Sequence, residues 1–337
     1  MNKVILHLLA SLVVSMCLFS CAQEETWDTL TTKGRKAQQA NHLVEAEDYF
    51  LRALQIAQGQ PGNDKQLSKS YFRLGMFYGY RGYYPNADYY YRLALDLDKR
   101  LYGSSNRHVA TVLNNLANVH LLQYQYTEAQ QLLTEGVAIW KELGDLENMV
   151  YATTITQQAI VHREKKRWTK AEDLFQQALT ISDQVKGVDK GLAWDHWGLL
   201  YERQGNLRKA KTLYAQAVKW HETHYGHSDA QLAKSLTFLG SLYLKQEKLK
   251  HAKLHLRRAL AIQEKIFGTV HPDLAITLEQ YAKLLRLEHH EEEAQKVEAR
   301  IQSMKKRLSV PFVPNKTTPL YFSLVKSKFI EKSTKLI

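Results

Sequence analysis

The feature that most constrains this chain of 337 residues is an internal repeat. An alanine is followed four positions later by a ring or a large apolar residue and, three positions after that, by another small residue, as in AEDYFLRA at 46–53 and AEDLFQQA at 171–178. The copies begin 39 to 42 residues apart, at Ala46, Ala87, Ala129, Ala171, Ala210, Ala252 and Ala294. Such a period predicts stacked copies of one structural unit.

A second small residue stands twelve positions before each of these alanines. These residues are Gly34, Gly75, Ala117, Ala159, Gly198, Gly240 and Ala282, and in five copies a ring follows three positions later. Two helices joined by a short turn pack closely only where small residues lie at their crossing and large rings fill the space beside it. We therefore predict an all-α chain of seven antiparallel helix pairs between about Trp27 and Arg300, with no sheet.

The small residues and rings at these offsets resemble the tetratricopeptide repeat, and the period near 42 resembles the longer variety found in kinesin light chains. The inter-repeat segments FGTVHPDLA at 267–275, Tyr102-Gly103 and Tyr225-Gly226 are similar to that subgroup. HEAT-type repeats share the period but lack this signature. The resemblance implies a right-handed superhelical solenoid over residues 27–302. Its last copy, with Glu298 in place of the ring, is expected to form a polar cap.

The start of the chain differs from the repeats. Residues 4–20 form a largely apolar run behind Lys3, which is short for a membrane span and typical of a secretory signal. The run ends Leu18-Phe19-Ser20-Cys21, which resembles a bacterial lipobox. That resemblance implies a signal peptide at 1–20, palmitate on Cys21, a linker at 21–26 and an outer-membrane lipoprotein facing the periplasm. An ordinary cleaved signal and an uncleaved anchor are the alternatives.

The end of the chain is basic. Residues 303–337 contain eight lysines and arginines and one acidic residue, Glu331, so this tail supplies much of the net charge of +12. Such a segment favours an anionic partner. We expect phospholipid headgroups, since export makes nucleic acid hard to reach, with a solvated tail as the alternative.

Residues that would support catalysis or metal binding are not arranged for it. The histidines of His221-Glu222-Thr223-His224 are three apart, whereas a helical zinc-protease site needs them four apart. His251 and His255 have that spacing but no third ligand is indicated, so we interpret them as solvated surface side chains. We predict neither enzyme activity nor a metal or cofactor, and we interpret the chain as an interaction protein.

The family resemblance also implies where a partner binds. In that family a groove is lined by first-helix positions six and three before the first small residue and one, four and five after it. Here these positions supply Lys69, Phe72, Met76, Tyr80, Thr111, Asn114, Asn118, Leu122, Thr153, Thr156, Arg163, Asp195, Arg203, Lys234, Thr237, Lys245, Lys283 and Arg286. The groove would be apolar at its N-terminal end and basic at its C-terminal end.

Such a groove complements a protein or peptide with apolar anchors followed by acidic residues. The function expected from the sequence is a scaffold that assembles or positions a complex of the cell envelope. A peptide-responsive regulatory sensor is the main alternative, and an envelope hydrolase is a distant third.

Overall fold

The computed structural model describes residues 25–59 and 61–309, and all of its regular secondary structure is helical. The described residues form fourteen helices: α1 Trp27–Gln39, α2 Leu43–Gly59, α3 Asp64–Tyr80, α4 Tyr84–Tyr102, α5 Arg107–Leu122, α6 Tyr126–Glu142, α7 Met149–Glu164, α8 Trp168–Gln184, α9 Lys190–Arg203, α10 Leu207–Tyr225, α11 Ala230–Lys245, α12 Leu249–Phe267, α13 Pro272–Leu287 and α14 Glu291–Ser309. The predicted all-α array of seven helix pairs is confirmed.

The last helix extends further than the sequence analysis predicted. Helix α14 ends at Ser309, seven residues beyond the expected end of the array at 302. Met304 is buried against Leu274 and Leu278 of α13, and Lys305 pairs with Glu279 at 2.6 Å. The start of the predicted tail therefore belongs to the array. The predicted signal peptide, Cys21 and residues 310–337 lie outside the described residues and stay predictions.

The described residues form two compact units, which divide inside α3 between Leu74 and Gly75. The first unit has a small core in which Trp27 and Leu30 pack with Ala53, and the Trp27 indole donates a hydrogen bond of 2.7 Å to Ser70. The second unit contains the remaining repeats. No helix in the described part of the chain is both long and apolar enough to cross a membrane.

Small residues allow the two helices of each pair to approach. A Cβ atom at Gly75 would lie 2.7 Å from the Tyr91 ring, and one at Gly198 would lie 2.7 Å from the Tyr214 ring. All seven leading alanines are fully buried. The packing roles predicted from the repeat are therefore confirmed, and they fix the face that each first helix presents.

Every turn within a helix pair contains one residue in the left-handed region, at the same repeat position. These residues are Asn41, Gly82, Tyr124, Lys166, Gly205, Glu247 and His289, with φ between 56° and 79°. The turn closes with a backbone hydrogen bond of the Schellman type, such as Tyr83 N–H to Tyr78 C=O at 2.9 Å. Five of the seven are not glycine, so these turns are strained.

A side-chain cap defines where most first helices begin. Asn106, Asn148, Asp189, Asp229 and His271 each accept a hydrogen bond from a backbone N–H in the first turn of the following helix. Four of these caps, Asn106, Asn148, Asp229 and His271, lie eleven positions before the first small residue, so α5, α7, α11 and α13 start in register. Helix α9 starts two repeat positions later, behind Asp189.

Candidate functional site

The candidate site is the surface formed by the first helices, and the structure divides its predicted residues by exposure. We call the solvent-facing side of α5, α7, α9, α11, α13 and the part of α3 from Gly75 onwards the first-helix surface. Lys69 and Phe72 belong to the first unit; the other predicted residues belong to the second. The exposed members of the second unit are Met76, Tyr80, Asn118, Leu122, Arg203, Lys245, Lys283 and Arg286, whereas Asn114, Thr156, Arg163, Asp195 and Thr237 are buried.

The buried members join neighbouring first helices to one another. Thr154 donates to the Asn114 side chain at 3.0 Å, which links α7 to α5. Thr237 and Thr277 share a hydrogen bond of 2.8 Å between α11 and α13. These polar groups are satisfied within the array, so they stabilise the stacking of repeats and are not available to a partner.

The Asp195 carboxylate is the most deeply buried of these groups. Ser235 donates to it at 2.5 Å and also contacts His221 at 2.9 Å, whose other ring nitrogen lies 3.0 Å from Asp189. Burial raises the pKa of Asp195 well above its usual range. A serine, a histidine and an aspartate in contact suggest a hydrolase, but Ser235 is fully buried, so no substrate reaches it in this conformation.

The predicted basic end of the first-helix surface is largely compensated by internal ion pairs. Glu164 contacts both Arg163 and Arg203 at 2.7 Å, and Lys245 lies 2.5 Å from Glu202. Burial alone would raise the pKa of Glu164, but the two guanidinium groups outweigh it and lower that pKa.

Two other predicted cations of this end are also paired. Lys234 contacts Asp273 at 3.2 Å, and Arg286 contacts Glu291 at 2.6 Å and Glu298 at 2.9 Å. In the described part of the chain, Lys283 alone among the predicted cations of the second unit has no carboxylate partner. The surface is thus less basic than its sequence indicates.

The opposite end keeps its exposed apolar side chains. Met76 is 51% exposed, Tyr80 37% and Leu122 36%. Tyr124 follows in the turn after α5 and is 71% exposed. Sequence reasoning missed Tyr124 because it lies outside the five repeat positions that the family resemblance supplied.

The second repeat touches the loop before α13, and we call this contact the clasp. The rings of Tyr80 and Phe267 meet edge to face at a centroid distance of 5.6 Å, and His271 Nε2 lies 2.9 Å from the Tyr80 carbonyl oxygen. Gly82 packs against Pro272. His271 and Tyr80 are 191 residues apart in sequence, so the clasp joins the two ends of the second unit.

The hydrogen bonds of His271 define its protonation state. Its Nδ1 accepts from the Asp273 backbone N–H at 3.1 Å as the helix cap, so Nε2 carries the hydrogen that is donated to Tyr80. Burial lowers the pKa of His271, although Asp273 opposes the shift. The clasp is therefore built with neutral histidine.

The histidines singled out in the sequence are packing residues. His251 and His255 both pack against the Tyr243 ring, with centroid distances of 5.1 and 5.5 Å. His255 is half-buried, so the prediction of two solvated side chains is wrong for it. Among the described residues no group of three or more side chains is arranged to hold a metal ion.

Comparison with known families identifies the repeat. The tetratricopeptide-repeat model matches residues 66–142, 108–184 and 189–265, which together are more than half of the chain. The chain belongs to the tetratricopeptide-repeat family. The matched segments begin within α3, so they cover the second to sixth repeats and leave the first and the last outside.

Known proteins with a similar sequence or fold are distant in sequence. The Arabidopsis thaliana protein KINESIN LIGHT CHAIN-RELATED 2 is 24% identical over 260 residues, and the match covers 63% of this chain and 39% of that protein. A Rap protein complexed with competence and sporulation factor superposes with a TM-score of 0.59 at 16% identity, covering 85% of this chain and 89% of that one. BtubC (BKLC) from P. vanneervenii gives a TM-score of 0.48 at 17% identity, covering 70% and 97%.

The family model and the Rap structure establish the tetratricopeptide-repeat fold, which is typically non-catalytic and serves protein–protein interaction. The chain spans well under half the length of the plant relative, so the similarity concerns the repeats and not that whole protein.

Proposed function

We propose that this tetratricopeptide-repeat chain is a non-catalytic scaffold that binds a protein or peptide partner on its first-helix surface. The observation that supports this best is the exposed apolar group Met76, Tyr80 and Leu122, in which Tyr80 and Leu122 occupy equivalent positions of the second and third repeats. Aromatic rings and adaptable methionines tend to dominate the energy of protein interfaces. Among the described residues, the other exposed large apolar side chains of these first helices are Met149, Ile276 and Leu287.

The ion pairs refine the chemistry of the expected partner. An acidic side chain of the partner would have to compete with Glu164, Glu202 and Asp273 for the cations of α7, α9 and α11. Displacing a partly buried carboxylate from its guanidinium partner is costly. We therefore expect a ligand with apolar anchors and hydrogen-bonding groups, with Asn118 as an exposed donor and acceptor, and with acidic groups contributing less than the sequence suggested.

We further propose that the chain is a lipid-anchored protein of a bacterial envelope, where it helps to assemble or position an envelope complex. The support is in the sequence: an apolar run at 4–20 followed by Leu18-Phe19-Ser20-Cys21. Cys21→Ser should release the protein from membranes or block its processing. Unchanged membrane fractionation of this variant would show that the anchor lies elsewhere.

A peptide-responsive sensor is the second candidate, and the clasp is the observation that favours it. The clasp can be closed or open, and a peptide that binds one of these two states more tightly would shift the equilibrium between them. The Rap structure with a similar fold contains competence and sporulation factor.

Site-specific photocrosslinking in native cells tests the binding proposal. A photoreactive residue in place of Asn118 should give a discrete adduct, whereas the same residue in place of Leu254, which is 65% exposed on the second helix α12, should not. The added mass separates the two candidates, because a scaffold gives a protein adduct and a sensor gives a peptide adduct. Equal adducts at both sites, or none at Asn118, would contradict a site on the first-helix surface.

A further inference from the structure

A strip of unpaired positive charge runs along the turns within the helix pairs of the fourth, fifth and sixth repeats. We call it the basic rim. It consists of Lys165, Lys166, Arg167, Lys170, Arg208, Lys209, Lys248 and Lys250, all of which are exposed. These turns span residues 165–170, 204–209 and 246–251, and Glu247 is the one acidic residue in them. The charge excess of the repeats is thus concentrated at one edge.

The repeat register makes this strip continuous. Arg167 and Lys248 occupy one repeat position, Arg208 and Lys250 a second, and Lys170 and Lys209 a third. Equivalent positions of stacked repeats lie side by side, so the cations of one turn continue those of the next. At the same three positions the second, third and seventh repeats have no lysine or arginine.

The cations of the rim differ from those of the first-helix surface in their partners. Within the described residues none of the eight rim cations forms an ion pair. Lys165 donates to the Gln130 amide, and the Lys209 ammonium lies 4.5 Å from the centre of the Tyr201 ring. Burial is the main cause that lowers the pKa of His162, and the positive charges of Arg167, Lys170 and Lys165 lower it further.

The composition of the rim indicates the kind of partner. Six of its eight cations are lysines, and the only ring side chains in its turns are the half-buried Trp168 and the exposed His251, which packs against the Tyr243 ring. Protein interfaces are enriched in arginine and exposed aromatics and depleted in lysine. Single-stranded nucleic acid needs exposed rings for stacking. Lysine-rich patches without apolar anchors are typical of attraction to the diffuse negative charge of a lipid surface.

We propose that the basic rim is a membrane-facing surface that binds anionic phospholipid headgroups. It would hold the array with the turns of its fourth to sixth repeats against the bilayer. This inference rests on the proposed membrane location for the source of the headgroups, but it does not depend on the first-helix surface as a binding site. An acyl anchor near the N-terminus and a basic rim more than 140 residues later would fix the orientation of the array at two points.

Vesicle flotation tests the rim with the full chain carrying Cys21→Ser, so that no acyl chain contributes. The rim variant combines Lys170→Glu, Arg208→Glu and Lys250→Glu. These positions lie in the first turns of α8, α10 and α12, where a carboxylate is favourable, so the fold should be kept. The control variant combines Lys186→Glu, Lys219→Glu and Lys296→Glu, which are exposed and change the net charge equally.

On vesicles of phosphatidylethanolamine with phosphatidylglycerol, each lysine near the surface contributes about fivefold in partitioning. The rim variant should therefore bind about 100-fold more weakly than the parent chain, while the control stays within a few-fold. Parent binding should disappear on vesicles with phosphatidylcholine instead, and at about 1 M salt, where the screening length is about 3 Å. The basic tail is present in the parent chain and in both variants, so its contribution to vesicle binding cancels in the comparison.

Equal losses in the rim and control variants would overturn the proposal, as would equal parent binding to neutral and anionic vesicles. Binding of polyglutamate that depends on the rim, without binding to anionic vesicles, would replace the membrane with an acidic polypeptide. Crosslinking through Asn118 in the rim variant reports on the proposed partner site separately, so either proposal can fail alone.

Discussion

Replacing Gly82 with alanine should open the clasp. A Cβ atom at residue 82 would lie 2.2 Å from Pro272 Cδ and 2.6 Å from its Cγ, whereas real contacts of this kind stay beyond about 3 Å. Both the turn and the proline ring are rigid, so we expect the contact to separate. Separation removes the hydrogen bond from His271 to the Tyr80 carbonyl and the contact of Tyr80 with Phe267.

The chain contains a matched control for the backbone strain of this substitution. Gly205 occupies the same turn position in the fifth repeat, with φ of +79° against +77° for Gly82, and a Cβ there would meet nothing within 4 Å. Alanine in the left-handed region costs roughly 1–2 kcal/mol at either site. The difference between Gly82→Ala and Gly205→Ala therefore reports the clasp alone.

The magnitude of that difference is limited by what the clasp contributes. One net hydrogen bond contributes about 0.5–1.5 kcal/mol. An aromatic pair adds about 0.5–1.5 kcal/mol. Gly82→Ala should thus be roughly 1–3 kcal/mol more destabilising than Gly205→Ala. The clash can cost no more than this, because the clasp opens when the energy of the clash exceeds the stabilisation that the clasp provides.

Urea unfolding followed by circular dichroism gives the stability difference, and hydrogen exchange locates it. The Asp273 backbone N–H, which donates a hydrogen bond to His271 Nδ1, should exchange faster in Gly82→Ala and not in Gly205→Ala. Equal stabilities for the two variants, with unchanged exchange across residues 267–273, would refute the reasoning.

Three further outcomes follow from the structure. Glu247→Gly should raise the free energy of unfolding by about 1 kcal/mol, because Glu247 has φ of 56°; a lower melting temperature would contradict the strained turn. Gly240→Leu should destabilise by at least about 1–3 kcal/mol, since a Cβ would lie 2.8 Å from Leu256 Cγ; an unchanged melting temperature would contradict the register. Burial lowers the pKa of His271, so the unfolded chain takes up its proton first and stability should fall as the pH drops below about 6.5. His271→Asn keeps a helix cap and should flatten that part of the pH profile; an identical profile would remove His271 as its source.

The sequence predicted the helix pairs because their physics is local. Small residues at 75, 198 and 240 and the large side chains at 91, 214 and 256 are separated by sixteen positions, so one turn brings each pair together. The left-handed turns escaped prediction for a related reason. Glycine marks only two of them, and the other five contain residues such as Tyr124 and Lys166 that do not indicate a positive φ.

The clasp could not be predicted from the sequence. It depends on how small rotations between successive repeats add up over the third to sixth helix pairs, and no single residue encodes that sum. Gly82 gave a weak indication, but turn chemistry alone explains a glycine at this position, as Gly205 shows.

The charges of the first-helix surface were misjudged because they were counted one repeat at a time. In the fourth repeat the positions four and five after the small residue hold Arg163 and Glu164; in the fifth they hold Glu202 and Arg203. This reversal of sign places Arg203 beside Glu164, and Lys245 of the sixth repeat beside Glu202. The pairing is legible in the sequence once neighbouring repeats are aligned.

The same comparison gives the opposite result at the basic rim. Arg167 and Arg208 have no carboxylate at the equivalent positions of the repeats on either side, and Lys170 and Lys250 form no ion pair with Glu128 and Glu292, which hold those positions in the third and seventh repeats. In a stacked array the nearest neighbour of a side chain is its equivalent one repeat away, so a cation is available to a partner when that position lacks an anion or when no ion pair forms with it. By this criterion the available positive charge of the array lies on the basic rim. The first-helix surface instead presents apolar side chains beside cations that already form ion pairs within the array.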